Sequence, residues 1–553
     1  MDETASERTL PTLVVGGPWN WDQAAGKAQR TDLAAVMAEA IATRRWFGAK
    51  TRAIESLEII DAIGFSATVR LLLVRIHFSR GPAEVYQVPL GFADAQSAAR
   101  LLEENGAVWI RVESAGGRRL GVLYDALGDA DFCRQLLELF ESPRTLNGIG
   151  GELISTRTSC FHSLRGNLRE ILIPKPVETE QSNSSVIYGS RLILKVFRRV
   201  EMGLNPDFEI TDYLTRQHFA NTPPLAGLLE YRPANEEPWT LAMLQAFVPN
   251  QQDAWNFARD WLAKALDARA ADSAGKAPPV PREGICSAAQ RAIPPEASAA
   301  FGGFLASVEL LGRRTAEMHR ALSADAADPA FAPEPFTDSD RRRFFERCSE
   351  QARETFALLG DHLPRLPREL ASQAARALAL EPAALDRYRR LAAETASVAK
   401  IRCHGDYHLG QVLVAKSDFV MIDFEGEPAR PLSQRREKQL ALRDVAGMIR
   451  SLHYASCSAA AAARSDQTRD DRRLREWAHA WFAWTSVAFL SAYVRTAGEA
   501  VFLPRAIDEF ERLLDGCLLE KAIYELRYEL DNRPDWVYLP LEALAEILDD
   551  DRH

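Results

Sequence analysis

The chain is poor in cysteine. Seven residues in 553, at positions 133, 160, 286, 348, 403, 457 and 517, form no Cys-x-x-Cys pair. An odd, dispersed set argues against both a disulfide framework and a zinc site, so reduced thiols of a cytosolic protein are expected. No apolar run reaches the length of a bilayer-spanning helix. The opening MDETASERT is acidic and polar rather than the apolar core of a secretory leader, so a cytoplasmic protein without a membrane partner is expected. Positive charge is not in excess: 67 Lys and Arg stand against 77 Asp and Glu, a net charge of -10. That balance excludes the basic face of a nucleic-acid binder but not a local phosphate site, which needs only a few cations and backbone N–H groups. Internal repeats and coiled-coil heptads are also missing. What remains is ordinary globular composition, 47% hydrophobic and 26% charged, in a chain too long for one core.

The patterning changes along the chain. Residues 32–44 read as helix, followed by strand-like runs at 57–63, 67–79 and 84–90, the last two joined through Arg80-Gly81-Pro82. Strand–helix passages near 121–127 and 131–140 precede a Pro- and Gly-containing linker at 142–150. Short strands at 151–156, 186–188, 191–196 and 240–247 surround one helix near 207–217. Beyond Pro249 helical patterns dominate, and the Ala- and Pro-rich stretch 265–298 reads as a mobile insertion. The expected architecture is α+β: an N-terminal α/β cap over 1–105, a strand-rich lobe with an intermediate subdomain over 106–248, and a helical lobe over 249–553. A strand-rich lobe followed by a helical one makes the arrangement bilobal.

One polar loop interrupts the helical half. Residues 403–424 read Cys-His-Gly-Asp-Tyr-His-Leu-Gly-Gln-Val-Leu-Val, then Ala-Lys-Ser-Asp, then Phe-Val-Met-Ile-Asp-Phe. The loop and the hairpin after it bring Asp406, Gln411 and Asp423 near one another. Phosphoryl transfer demands such a set: one carboxylate for the acceptor hydroxyl, and a carboxylate and a side-chain oxygen for Mg²⁺ against the phosphates. The protein-kinase pattern His-Arg-Asp-x-x-x-x-Asn with Asp-Phe-Gly supplies the same three oxygens. A single Asp–His loop is usually only a turn bonding its own backbone; three oxygens at this spacing between apolar strands favour chemistry.

The other half of a kinase should lie upstream, and its parts occur in kinase order. Ser182, Asn183, Ser184 and Ser185 precede a strand pair and are placed to lay backbone N–H groups over phosphates of ATP. Lys195 on the second strand is placed to reach those phosphates, with Glu209 on the next helix as its expected ion-pair partner. Met243, Gln245 and Phe247, before Pro249, occupy the place of the hinge that meets adenine. Taken singly, Lys195 would read as a solvated strand charge and the hinge residues as a buried strand end.

These motifs carry a family likeness. His404–Gln411, Asp423-Phe-Glu-Gly-Glu-Pro428 and Leu442-Arg-Asp-Val-Ala-Gly-Met-Ile-Arg-Ser451 together resemble maltokinases, members of the eukaryotic-like kinase superfamily alongside aminoglycoside phosphotransferases. Glu180–Ser185, Arg191–Arg199, Asn205–Glu209, Arg45-Trp46-Phe47 and Glu520–Glu525 are similar to the same family. The insertion at 265–298 is not explained by it. The resemblance implies transfer of the γ-phosphate of ATP to the anomeric hydroxyl of maltose, giving maltose 1-phosphate for glycogen-type α-glucan synthesis from trehalose, with trehalose synthase as a partner. It implies Asp406 as catalytic base and Gln411 and Asp423 as Mg²⁺ ligands.

For the sugar, Arg443, Gly447, Arg450 and Tyr454 share a helical face with Asp444 beside them, and Tyr524, Glu525 and Tyr528 make a second polar–aromatic face near the end. Gly447 on the first face allows close approach of another backbone or a sugar. Packing is the plain alternative for both faces, and Asp444 is an alternative brace for the catalytic loop. His408 and Glu425 are further acceptor-side candidates. Three other readings stand beside maltokinase: a kinase for another sugar such as glucosamine, a non-catalytic pseudokinase partner of a glucan enzyme, and an aminoglycoside phosphotransferase. Arg443 and Arg450 disfavour the last, because its acceptor is polycationic.

Overall fold

The computed structural model describes residues 10–26, 30–50, 52–103, 108–177, 182–271, 275–394, 396–463 and 471–548, and the statements below concern these. Two compact units emerge: residues 1–215 with 223–249, and residues 216–222 with 250–553.

The first unit holds two seven-stranded sheets. The first contains β1 (Thr12–Val15), β2 (Ile54–Gly64), β3 (Val69–Phe78), β4 (Glu84–Asp94), β5 (Val108–Ser114) and β6 (Arg119–Asp125) in the order β1-β5-β6-β4-β3-β2. The second contains β7 (Thr145–Asn147), β8 (Gly151–Arg157), β9 (Pro174–Pro176), β10 (Ser184–Tyr188) and β11 (Leu192–Val196), then β12 (Arg199–Val200) crosses back to pair with β4 of the first. With β13 (Leu225–Pro233) and β14 (Trp239–Ala246) the second runs β7-β8-β13-β14-β11-β10-β9. The expected cap boundary at 105 therefore moves, because β5 and β6 complete the first sheet. β3 is almost continuously apolar and buried along most of its length. Helix α1 (Arg30–Ala42) buries Leu33, Met37 and Ile41 in one core with Trp46, Phe47 and Trp109. A second core joins the two sheets through Ile63, Leu71 and Leu73 on one side and Leu153, Leu194 and Leu244 on the other.

The stretch expected as a linker, 142–150, is a built junction. Buried Asp61 accepts from the backbone N–H of Ile149 (2.6 Å) and Gly150 (3.0 Å) and from Tyr231 Oη (2.7 Å). At Gly148 an added Cβ would fall 2.2 Å from the Asp61 carboxylate, so a side chain there would displace this anchor. Helix α2 (Pro206–Arg216) opens on Asn205, whose Oδ1 accepts the Asp207 N–H at 2.8 Å, with proline at its first position.

The second unit is helical. Its helices include α3 (Ala254–Ala271), α4 (Gly284–Ala288), α5 (Pro295–Leu322), α6 (Leu442–Ala463), α7 (Asp471–Ala497) and α8 (Ile507–Asn532). A small sheet, β15 (Gln252–Asp253), β16 (Val412–Ala415) and β17 (Asp418–Met421), interrupts them. Residues 216–222 belong here because Asn221 Nδ2 donates to Phe419 O (2.8 Å) and Thr222 Oγ1 to Met421 O (3.1 Å). The insertion expected to be mobile is ordered where it is described. α3 runs to Ala271, α4 stands at 284–288, α5 begins at Pro295, and Trp484 Nε1 donates to Pro279 O at 3.1 Å; residues 272–274 lie outside the described set. Alanine and small polar residues hid the short helices, because they carry little periodicity.

Candidate active site

The polar loop 402–411 is fixed from below by one buried carboxylate. Asp444, on the first turn of α6, accepts from the backbone N–H of His404 (2.7 Å) and Gly405 (2.9 Å). Its Oδ2 also meets His319 Nε2 at 3.0 Å, while His319 Nδ1 meets Tyr493 Oη at 2.8 Å. Burial would raise the Asp444 carboxyl, but the hydrogen bonds and charge of His319 and the Gly405 N–H outweigh it and hold the group below its ordinary value. Asp444 is thus the brace of the loop rather than an open sugar contact. Gly447, one turn on, lets the loop lie against the helix, since a Cβ there would fall 2.6 Å from Tyr407 O.

His404 ties the two functional stretches together. Its buried ring donates from Nε2 to Ile422 O at 3.0 Å, and the Ile422 N–H donates to Gln411 O at 3.0 Å. The next residue, Asp423, has φ 68°, in the left-handed region that Asp tolerates better than most side chains. Gln411 Nε2 donates to Asp423 Oδ2 at 2.7 Å, and the Asp423 and Glu425 carboxylates offer oxygens within 4.8 Å of one another. An amide beside two carboxylates is a hard, oxygen-rich set of the kind Mg²⁺ takes, so the residues present fit that ion.

Asp406, half-buried, meets a cation that the sequence reading did not name. Lys521 Nζ on α8 lies 3.0 Å from Asp406 Oδ1 and 2.9 Å from Glu427 Oε1. Burial would lower the ammonium's pKa, but Glu427 and Asp406 outweigh it and keep it charged well above the usual lysine range. His408 Nε2 is 3.9 Å from Asp406 Oδ2, and burial pushes its imidazole pKa down. Tyr524 lies under the Lys521 ammonium, 4.7 Å from ring centre to Nζ.

The expected acceptor face on α6 is taken up by internal pairs. Arg443 bonds Glu520 twice at 2.8 Å, Arg450 bonds Glu525 at 2.8–2.9 Å, and Tyr454 Oη reaches Glu529 at 3.4 Å while stacking on Trp536. Arg443 and Arg450 are therefore neutralised, and their charge no longer weighs against a cationic acceptor. Glu427, Arg430, Arg443, Glu520 and Lys521 form one buried ionic cluster. Lys521 itself was signalled only by the run 520–525, where it stands beside Tyr524 and Glu525.

In the first unit, Lys195 Nζ pairs with Asp207 Oδ2 at 2.7 Å, two residues ahead of the expected Glu209, which is itself buried on α2. The register places Ser185 and Met243 directly across from Lys195 on the flanking strands, with Gln245 opposite Ile193. The Phe247 N–H donates to Arg191 O at 2.8 Å, and half-buried Phe247 follows the end of β14. Ser184 is buried and accepts from Arg198 Nε at 2.8 Å, so it anchors the loop rather than lining it; Ser182 is exposed, and Asn183 and Ser185 are half-buried. Glu180 and Gln181 lie outside the described residues.

Residues 41–129 match the maltokinase N-terminal cap domain. The match ends at Asp129, beyond β5 and β6, so it takes in β2 to β6 of the first sheet and leaves β1 and β12 outside. The matched segment meets the β10–β11 hairpin through buried Arg198, whose guanidinium bonds Ser184 and Asp125 and lies 5.0 Å from the Trp46 ring centre. Over a longer span the chain is similar to a glucosamine kinase of Streptacidiphilus jiangxiensis, 29% identical over 374 residues, 67% of this chain and 72% of that protein. It is also similar to a glucosamine kinase of Mycolicibacterium smegmatis, 26% identical over 387 residues, 68% and 80% of the two chains. A solved glucosamine kinase in complex with glucosamine, ADP and inorganic phosphate superposes with TM-score 0.57 at 22% identity, covering 92% of this chain and 99% of that one. Another crystal form gives 0.60 over 93% and 99%. These likenesses establish the kinase-like α+β fold, and the curated relatives support a phosphotransferase of the kinase type. No helix among the described residues is long and apolar enough to cross a membrane.

Proposed function

We propose that this chain is a maltokinase, transferring the γ-phosphate of ATP to the anomeric hydroxyl of maltose in α-glucan metabolism. The observation that carries the reading is Asp406, set on a loop braced by Asp444 and joined through His404 and Ile422 to the Gln411–Asp423 pair. Asp406 orients the acceptor hydroxyl and takes its proton as the phosphoryl group arrives; Lys521 and Glu427 fix the carboxylate's position. Gln411 and Asp423, with Glu425 beside them, would hold Mg²⁺, which neutralises charge on the phosphates. Lys195, held by Asp207, steadies the nucleotide's phosphates. His408, Tyr524 and Glu525 stand on the acceptor side.

The maltokinase cap supports maltose as the acceptor, while the glucosamine kinases among the relatives support an amino sugar. A sugar panel with Mg-ATP decides it, reading ADP release and the phosphorus NMR spectrum of the product. Maltose should turn over to an anomeric phosphate. Turnover of glucosamine with maltose inert would overturn the acceptor, and ADP release with no sugar would overturn the kinase reading.

A further inference from the structure

The insertion that the family likeness leaves unexplained builds one wall of a cavity in the second unit. Cys286 and Ala289, on α4 and just after it, face the C-terminal half of α7 and the start of α8 across a space of about 460 Å³. Its apolar lining comes from Leu490, Leu503 and Phe510, all buried, and from Val494, 40% exposed although apolar. A cavity of this size with an apolar lining and few polar groups suits a small molecule better than a protein segment.

The polar groups at the rim narrow its chemistry. Arg505 and Glu499 both line the cavity, and among the described residues neither side chain has a hydrogen bond or ion pair, with each other or with anything else. Gln290, from the insertion, adds an amide. A carboxylate would be met by the Arg505 guanidinium, an ammonium by the Glu499 carboxylate, and an apolar side chain by the floor. The geometry points to an effector site for a zwitterionic apolar α-amino acid, formed by Arg505, Glu499 and the apolar cavity between α4, α7 and α8.

The cavity wall is continuous with the catalytic-loop brace. Leu490 and Val494 flank Tyr493 on α7, and Leu503 follows Phe502. Tyr493 Oη meets His319 Nδ1 at 2.8 Å, and the Phe502 ring centre is 5.8 Å from that of His319. His319 in turn holds Asp444 and so the amides of His404 and Gly405. An occupant pressing on α7 bears on this chain of contacts, so the site couples to the loop.

The site does not depend on the kinase reading, and its test needs no turnover. Isothermal titration of the full chain with L-phenylalanine and L-leucine should give saturable binding. 3-Phenylpropanoate and phenethylamine, each lacking one charge, should bind at least roughly tenfold more weakly, as should the amino acids to Arg505→Ala and Glu499→Gln. Both side chains are exposed, so the variants should keep the native circular dichroism; the two single-charge ligands test the same point on the unaltered chain. Absence of saturable binding at millimolar ligand, or equal affinity for the acid or the amine alone, would overturn the assignment. Saturation should slow hydrogen exchange of the Gly405 amide severalfold, and unchanged exchange would overturn the coupling.

Discussion

At the scale of residues, Asp406 Oδ1 lies 3.0 Å from the Lys521 ammonium. Its value lies in position. In the proposed reaction the proton comes off a hydroxyl that is already attacking phosphorus, so a carboxylate in the right place is sufficient. Lys521 divides its charge between Asp406 and Glu427, which stops it from collapsing onto the base alone. Asp406→Ala should therefore lower kcat on the order of 10³-fold while ATP binding, followed by fluorescent-nucleotide titration, stays within a few-fold of the native chain. Near-native turnover would remove Asp406 from the base role. The loop motif made Asp406, Gln411 and Asp423 legible, because all three sit within one short stretch of chain. Lys521 was not legible: it is 115 residues away on a long helix whose own pattern shows only packing. Asp207 was missed for a related reason, since the spacing from Lys195 to its helix leaves both Asp207 and Glu209 within reach.

At the scale of elements, the catalytic loop is held by the first turns of α6, and a missing side chain matters as much as a present one. The Tyr407 carbonyl passes so close to Gly447 that a Cβ would sit 2.6 Å from it, well inside contact distance. Gly447→Ala raises helix propensity slightly, by under about 1 kcal/mol, but forces the loop backbone off the helix. The clash should win, with a net loss of about 1–3 kcal/mol in urea denaturation and a fall in kcat larger than any change in KM for ATP. A gain in stability with unaltered kcat would show that the loop is free to shift. The hairpin β16–β17 was readable from its two apolar runs about Lys416-Ser417-Asp418. So was β10–β11, where Gly189 at φ 57° makes the turn. The ordered insertion and the true end of the cap were not: α4 is a single turn and a half without amphipathic rhythm, and β5 and β6 join strands that the chain had left some fifteen or more residues earlier. Sheet order is a long-range fact that local pattern does not carry.

At the scale of the whole molecule, a chain with a net charge of -10 should gain from mild acid as self-repulsion falls, yet its buried carboxylates argue the opposite for the C-terminal unit. Glu427, 2% exposed, would be raised by burial alone, but Lys521, Arg430 and Arg443 hold it down to about 2. Glu520 is lowered in the same direction, its burial outweighed by Arg443 and Arg430. A carboxylate depressed on folding stabilises the fold fully above its ordinary value of 4.5, and that contribution is lost as pH falls toward about 2. Protonating Glu427 and Glu520 also leaves Arg430 and Arg443 without these counter-charges, the costly half of a broken buried pair. Self-repulsion is spread over a screened surface, whereas the cluster is dry, so the cluster should decide. The urea midpoint followed by far-ultraviolet circular dichroism, which reports chiefly the helical unit, should hold between pH 7 and about 5 and then fall, with about 3 kcal/mol lost from Glu427 by pH 2. Glu427→Gln should be destabilised already at neutral pH and show a flatter acid limb. A native midpoint that stays level to pH 3, or a variant with the same acid limb as the native chain, would mean that the cluster is hydrated and contributes little to holding α6 and α8 together.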